Sequence, residues 1–154
     1  MLGTSVAAVK SSLQRARARL DHVTPEDASE PRARELLDLY IAGFENADMA
    51  ALERALRTDA AIEMVGTRTW FEGRDTCLRY LAHAVGARGD WRMIATTSNG
   101  QPAGAAYLRD VGGIHRAFGL GVLTVTEAGI ARILVFGGGA GLLARFGLPG
   151  TIGR

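Results

Sequence analysis

Val6, Val9, Leu13, Ala16 and Leu20 recur at steps of three and four residues, which puts them on one face of a helix. Thr4 or Ser5 can cap its start by accepting a bond from a free backbone amide, and the segment runs to about residue 22. Residues 23–31, with Thr24-Pro25-Glu26-Asp27 and Ser29, are polar and proline-punctuated and read as a linker. Periodicity resumes at Arg32 and lasts to Glu45, with Leu36, Leu37, Tyr40, Ile41 and Phe44 on one side. Asp48 is placed to cap a second helix over Met49–Leu56, and Arg74–Val85 reads as a third, with Leu78, Leu81 and Val85 inward. Ala60–Val65 reads as a strand, followed by a loop over Gly66–Gly73 that holds Trp70 and Phe71. Four more strands follow: Trp91–Ser98, Ala103–Arg109, His115–Thr126 and Ile130–Phe136. Asn99-Gly100, Gly112-Gly113 and Ala128-Gly129 separate them and suit tight reversals. A short helix over Gly141–Leu148 precedes Pro149. Helices gathered against a bent antiparallel sheet make an α+β domain over residues 32–149, with residues 150–154 as a tail.

Composition sharpens this picture in three places. The net charge is only +2, so the whole molecule is not a polyelectrolyte binder, yet Lys10, Arg15, Arg17 and Arg19 cluster on the first helix with no acid before Asp21. A helix this short is marginal alone, so its apolar face needs a partner. Cys77 is the single cysteine; it has no metal-site spacing around it, reads as a small core residue, and fits a reducing, cytoplasmic setting. The longest weakly charged stretch, Ile133–Ala144, is too short to span a membrane and is broken by Gly137, Gly138 and Gly139. Those three glycines lack the Lys-Ser/Thr continuation of a phosphate loop and read as a hinge.

The stretch from Leu2-Gly3-Thr4-Ser5 through Val9-Lys10-Ser11-Ser12-Leu13-Gln14-Arg15 to Arg17-Ala18-Arg19-Leu20 resembles the turn and recognition helix closing region four of sigma-70-family RNA polymerase sigma factors. A helix in the major groove needs an apolar face for its own domain and an outer face of small and basic residues. The resemblance implies that Lys10, Ser11, Gln14 and Arg15 contact promoter DNA. It covers under a fifth of the chain. The chain begins at the turn of the motif, without its supporting helix, which a Met1 internal to a longer reading frame would explain. Promoter binding is then expected in the complete protein only, and weakened steeply by salt.

A second resemblance covers most of residues 32–149. It rests on Leu37-Asp38-Leu39-Tyr40-Ile41-Ala42-Gly43-Phe44-Glu45-Asn46-Ala47-Asp48, Trp70-Phe71-Glu72-Gly73-Arg74, Asn99-Gly100-Gln101-Pro102-Ala103 and Arg145-Phe146-Gly147-Leu148-Pro149. These are similar to the SnoaL-like domain, a cone-shaped nuclear-transport-factor-two-like (NTF2-like) fold, as found at the end of extracytoplasmic-function sigma factors. The resemblance implies a regulatory domain acting with RNA polymerase and the remaining sigma regions, needing neither cofactor nor metal.

Relatives of this fold include cyclases and epoxide hydrolases, which need an acid and a base inside the cone. Glu63 and His115 are the strand residues that could stand there. Arg109-Asp110 read as a solvated turn, His83 as a surface residue, and an Asp-Arg-Asp constellation is missing. The alternative to the regulatory reading is a free-standing protein that binds or converts a small hydrophobic molecule, dimeric through its sheet. Its pocket would be lined by Tyr40, Phe44, Met64, Trp70, Phe71 and Tyr80.

Overall fold

The computed structural model describes residues 27–153, so the basic helix, with Lys10, Ser11, Gln14 and Arg15, lies outside the described residues. Three helices line one side of the domain: α1 (Glu30–Glu45), α2 (Met49–Ala55) and α3 (Arg74–Ala84). Ser29 caps α1 by accepting from the Arg32 amide, and Asp48 caps α2 by accepting from the Ala51 amide. The first helix therefore starts two residues before the Arg32 expected from periodicity. Pro31 sits in its first turn, where the missing N–H costs nothing.

Seven strands form one sheet: β1 (Leu56–Met64), β2 (Trp70–Glu72), β3 (Trp91–Ser98), β4 (Gln101–Arg109), β5 (His115–Thr126), β6 (Gly129–Gly137) and β7 (Thr151–Ile152). Their order is β2-β1-β6-β5-β4-β3, with β7 paired to β5. Strands β3 to β6 are an antiparallel meander. Asn99 (φ 53°) and Gly100 (φ 82°) both adopt left-handed backbone, which is what a two-residue I′ reversal requires. The sheet is not wholly antiparallel: β1 runs parallel to β6. That pairing joins distant segments through the α3 layer, so local turn signals do not report it. Register shifts at Ala106/Tyr107 and Thr124/Val125 are where bulges bend the sheet into a cone.

Two further differences from the sequence reading concern edges. Trp70 and Phe71 belong to a short strand, β2, pairing with Glu63 and Ile62 of β1, rather than to a loop. At the C-terminus, helix α4 (Gly139–Ala144) is followed by Thr151–Ile152 returning to pair with β5. The folded unit also reaches past both ends of 32–149: Asp27 bridges Thr126, and Ile152 pairs with His115.

The core has two parts, one on each face of the sheet. Inside the cone, Leu36, Leu37, Tyr40 and Phe44 of α1 meet Leu52, Cys77, Leu81, Ile62, Leu123 and Ile133. On the outer face, Ala103, Ala105, Tyr107, Val122, Leu134 and Phe136 are covered by Leu143 and its neighbours. The Cys77 thiol is wholly buried and donates to the Ala60 carbonyl oxygen at 3.4 Å. Burial pushes its pKa up. Cys77 is therefore expected to resist a disulfide-exchange reagent in the native protein and to react fully once urea unfolds it. Rapid labelling of the folded chain would show that this layer opens locally.

Candidate functional site

Glu45, the last residue of α1, accepts from the Met93 amide at 2.9 Å and so ties the helix to β3. This clamp holds the helix's aromatic face over the sheet. Tyr40 and Phe44 lie with ring centroids 5.1 Å apart, Phe44 meets Trp91 edge-on at 5.7 Å, and Trp91 meets Phe118 edge-on at 5.2 Å. These spacings and tilts suit the aromatic quadrupole. The Trp91 indole N–H donates to the Ala84 carbonyl at 2.9 Å, so it enters the core satisfied.

These four aromatics, with Ile62, Tyr80, Leu81, Met93, Ile133 and Val135, line a cavity of about 70 Å³ at the mouth of the cone. That is roughly the volume share of two water molecules, well below the ~300–1,000 Å³ of ordinary small-molecule sites. Among the described lining residues the side-chain oxygens and nitrogens are the two tyrosine hydroxyls and the Trp91 indole N–H, which is already bonded to the Ala84 carbonyl; none is Asp, Glu, His, Arg or Lys. Burial raises the pKa of Tyr40, with a smaller contribution from Tyr80, and burial also raises that of Tyr80. Both therefore stay protonated at neutral pH. The Tyr40 tip is admitted by Gly121 of β5, where a Cβ would stand 2.5 Å from the hydroxyl oxygen.

Of the six residues expected to line the pocket, Tyr40, Phe44 and Tyr80 do so. Phe71 lies behind the wall, stacked on Tyr80 at 4.5 Å, and Met64 offers its sulfur to the Tyr80 hydroxyl at 3.9 Å. Trp70 is placed elsewhere: it is 53% exposed and borders an open outer depression with Glu63, Arg68 and Arg132. Strand alternation explains the split, since Trp70 pairs with Glu63 while Phe71 pairs with the inward Ile62. Trp91, Met93 and Phe118 were missed by the sequence reading. Phe118 occupies the β5 bulge, between Ala117 opposite Tyr107 and Gly119 opposite Ala106; alternation fails at such a site.

Neither acid–base candidate lines the cone. Glu63 pairs with Arg132 at 3.2 Å in the outer depression, and the His115 Nε2 lies 2.9 Å from the Gly89 carbonyl. The Arg109-Asp110 turn is an ion-pair cluster: Arg109 holds Asp90 at 2.6 Å, and Arg116 holds Asp110 at 2.6 Å. The Ala87 amide and then Arg109 hold Asp90 below the usual carboxylate range. Arg116 and the Ile114 and Gly112 amides do the same for Asp110. A depressed native pKa contributes stability above the unfolded value that is lost as pH falls through the native one. Both carboxyl resonances are accordingly expected to titrate below the ordinary Asp midpoint. Midpoints at or above it would mean the turn is open in solution.

A bent sheet closed on one side by three helices, with an aromatic-lined mouth, is the NTF2-like, SnoaL-like fold. Solved structures agree at the level of fold. An NTF2-like protein of unknown function from Mesorhizobium loti superposes with a TM-score of 0.57 at 16% identity, covering 73% of this chain and 96% of that one. A proposed isomerase of the SnoaL-like family from Agrobacterium tumefaciens gives 0.54 at 15% identity, covering 71% and 99%.

A nearer relationship is seen among curated proteins. The chain is 35% identical, over 98% of its length, to the ECF RNA polymerase sigma factor SigG of Mycobacterium tuberculosis, in two strains. The match lies in a C-terminal part of that factor, and the chain spans 42% of its length. No family model matches the chain. Among the described residues no helix is long and apolar enough to cross a membrane.

Proposed function

We propose that this chain is the C-terminal regulatory portion of an RNA polymerase sigma factor, and that its SnoaL-like domain modulates sigma activity without catalysing a reaction. The observation that carries this reading is the 35% identity to a sigma factor across 98% of the chain. That similarity runs through the N-terminal basic segment as well as the folded domain, which supports reading the two as parts of one transcription protein. Lys10, Ser11, Gln14 and Arg15 then face promoter DNA in the complete factor, with RNA polymerase and the upstream sigma regions as partners in the cytoplasm.

The non-catalytic half of the reading is supported by the cone. Acid–base chemistry needs groups that exchange protons near neutral pH within reach of one substrate atom. The described lining offers two tyrosines whose pKa values burial moves further from neutrality. The cavity is also too small for a substrate of polyketide or steroid size.

Transcription from a cognate promoter by polymerase and the complete factor tests the proposal. Removing residues 27–153 from that factor is expected to change promoter output at equal polymerase occupancy. Tyr40→Phe with Tyr80→Phe is expected to leave it within about twofold, since each loses one hydroxyl of modest energetic weight. Unchanged output on removing the domain would overturn the regulatory role. Loss of output with the tyrosine pair, restored by changing pH, would overturn the non-catalytic one.

A further inference from the structure

The residues that lead into α1 are polar and read as a linker, yet they are fastened to one place on the sheet. Asp27 bridges Thr126 in antiparallel sense, and the Ala28 amide donates to the Val125 carbonyl at 3.4 Å. The Ser29 amide donates to the Glu127 carboxylate, and the Arg32 Nε donates to the Glu127 carbonyl oxygen at 3.1 Å. Together these contacts lay residues 27–32 along the end of β5 and its turn into β6. Ser29 and Arg32 each work on both sides of the joint. The Ser29 Oγ accepts from the Arg32 amide at 3.3 Å, and the Arg32 guanidinium donates to Glu35 at 2.6 Å. The entry of the chain and the first turn of α1 are therefore fixed as one unit.

The receiving turn is itself stiff. Thr126 is buried, and its Oγ1 donates to the Gly129 carbonyl at 3.0 Å. Gly129 holds φ 141°, and a Cβ there would stand 2.8 Å from the Ala55 carbonyl oxygen, so the turn lies tight against the end of α2. From this turn β5 and β6 run paired from Thr126↔Gly129 to Gly119↔Gly137, and they carry Phe118, Ile133 and Val135 to the cavity. Ordering a polar segment costs backbone entropy. The bond from Ser29 to an ionised carboxylate is the strongest kind of contact available here to offset it.

We propose that this joint sets the direction in which the chain ahead of residue 27 leaves the domain, and that Glu127 is its positioning residue. In a sigma-factor portion, the reading on which this rests, the joint is the mechanical connection between the basic segment and the SnoaL-like domain. A regulatory domain on a slack tether acts only by raising its own local concentration. One on a fixed joint also imposes an orientation on the DNA-reading segment. Opening the joint then uncouples the two while each stays folded.

Three variants test this: Glu127→Ala, Glu127→Gln, and an insertion of Gly-Ser-Gly between Glu26 and Asp27. The alanine removes the acceptor for the Ser29 amide, whereas the glutamine keeps an oxygen that accepts. In the 154-residue chain, hydrogen exchange at the Ala28 and Ser29 amides is expected to speed up in Glu127→Ala and to stay slow in the other two. In the complete factor, Glu127→Ala and the insertion are both expected to move promoter output to that of the factor lacking residues 27–153, and Glu127→Gln to keep the parent's. The insertion leaves every contact of the joint in place, so a Glu127 that merely stabilises α1 predicts parental output from it. Parental output from the insertion therefore overturns the proposal. So does parental output from Glu127→Ala when its Ala28 and Ser29 amides exchange freely, and so do amides that exchange as fast in the parent as in that variant. Should Glu127→Ala fail to fold, the insertion decides alone. Output that does not respond even to removing residues 27–153 overturns the regulatory reading and the joint's part in it; slow exchange in the parent and Glu127→Gln alone would then mark the joint as structural.

Discussion

Gly119→Ala is expected to destabilise the domain by about 3 kcal/mol or more, a large fraction of the ~5–15 kcal/mol available to an ordinary domain. The reason is local and hard to relieve. A Cβ at this position would stand 2.0 Å from the Phe136 carbonyl oxygen and 3.0 Å from its carbon. Both atoms are backbone, held in the β5–β6 ladder by Gly119↔Gly137 and Leu120↔Phe136. A flexible side chain could swing aside; a laddered carbonyl cannot move without breaking its strand pair. Gly119 also adjoins the Phe118 bulge, so the strain would reach the aromatic mouth. Urea unfolding of Gly119→Ala beside Gly137→Ala checks this. Position 137 has open space around its missing side chain, so its variant is expected within about 0.5 kcal/mol of the parent. Equal midpoints for the two would mean that β5 and β6 are less closely apposed than described.

Tyr107→Ala is expected to cost about 3–5 kcal/mol, in the range for deleting a buried aromatic. Tyr107 is fully buried at the centre of the outer cluster. Its ring packs with Leu143 and the C-terminal segment around it, and its hydroxyl donates to the Pro149 carbonyl. Tyr107→Phe separates the two contributions. It keeps the ring and removes one hydrogen bond, so about 1 kcal/mol is expected. Hydrogen exchange at the Ala117 amide, which donates to Gly150 in the C-terminal segment, should rise in both variants. Protection unchanged in Tyr107→Ala would show that the C-terminal segment is held by something other than this residue.

Much of the fold was legible along the chain, because its signals are local. The aromatic face of α1 follows from helical periodicity, β3 and β5 were expected with the bounds the structure has, and Asn99-Gly100 encodes its own reversal. The Asp48 cap, expected from the sequence, acts through an atom three residues away, whereas Ser29, read as linker, caps α1. The order of motifs carried the resemblance to a sigma factor's end, which the curated relatives then supported across the chain. The candidate site was less legible. Phe118 stands at a bulge, where period-two alternation breaks, so its place beside Trp91 follows from strand pairing and not from its neighbours in sequence. Trp70 looked like a pocket residue until the Trp70↔Glu63 pairing put it on the outer face.

By itself, the sequence of this protein determined the helices, the strands of the meander, their reversals and the fold class, since periodicity, capping and turn chemistry act over a few residues. Tertiary structure decided what those elements enclose. The parallel β1–β6 pairing, the bulges and the β7 pairing join residues far apart in the chain, and they set which aromatics fill the cone and which apolar face is covered. Such contacts depend on packing and register across the whole sheet, and no short stretch of sequence contains them.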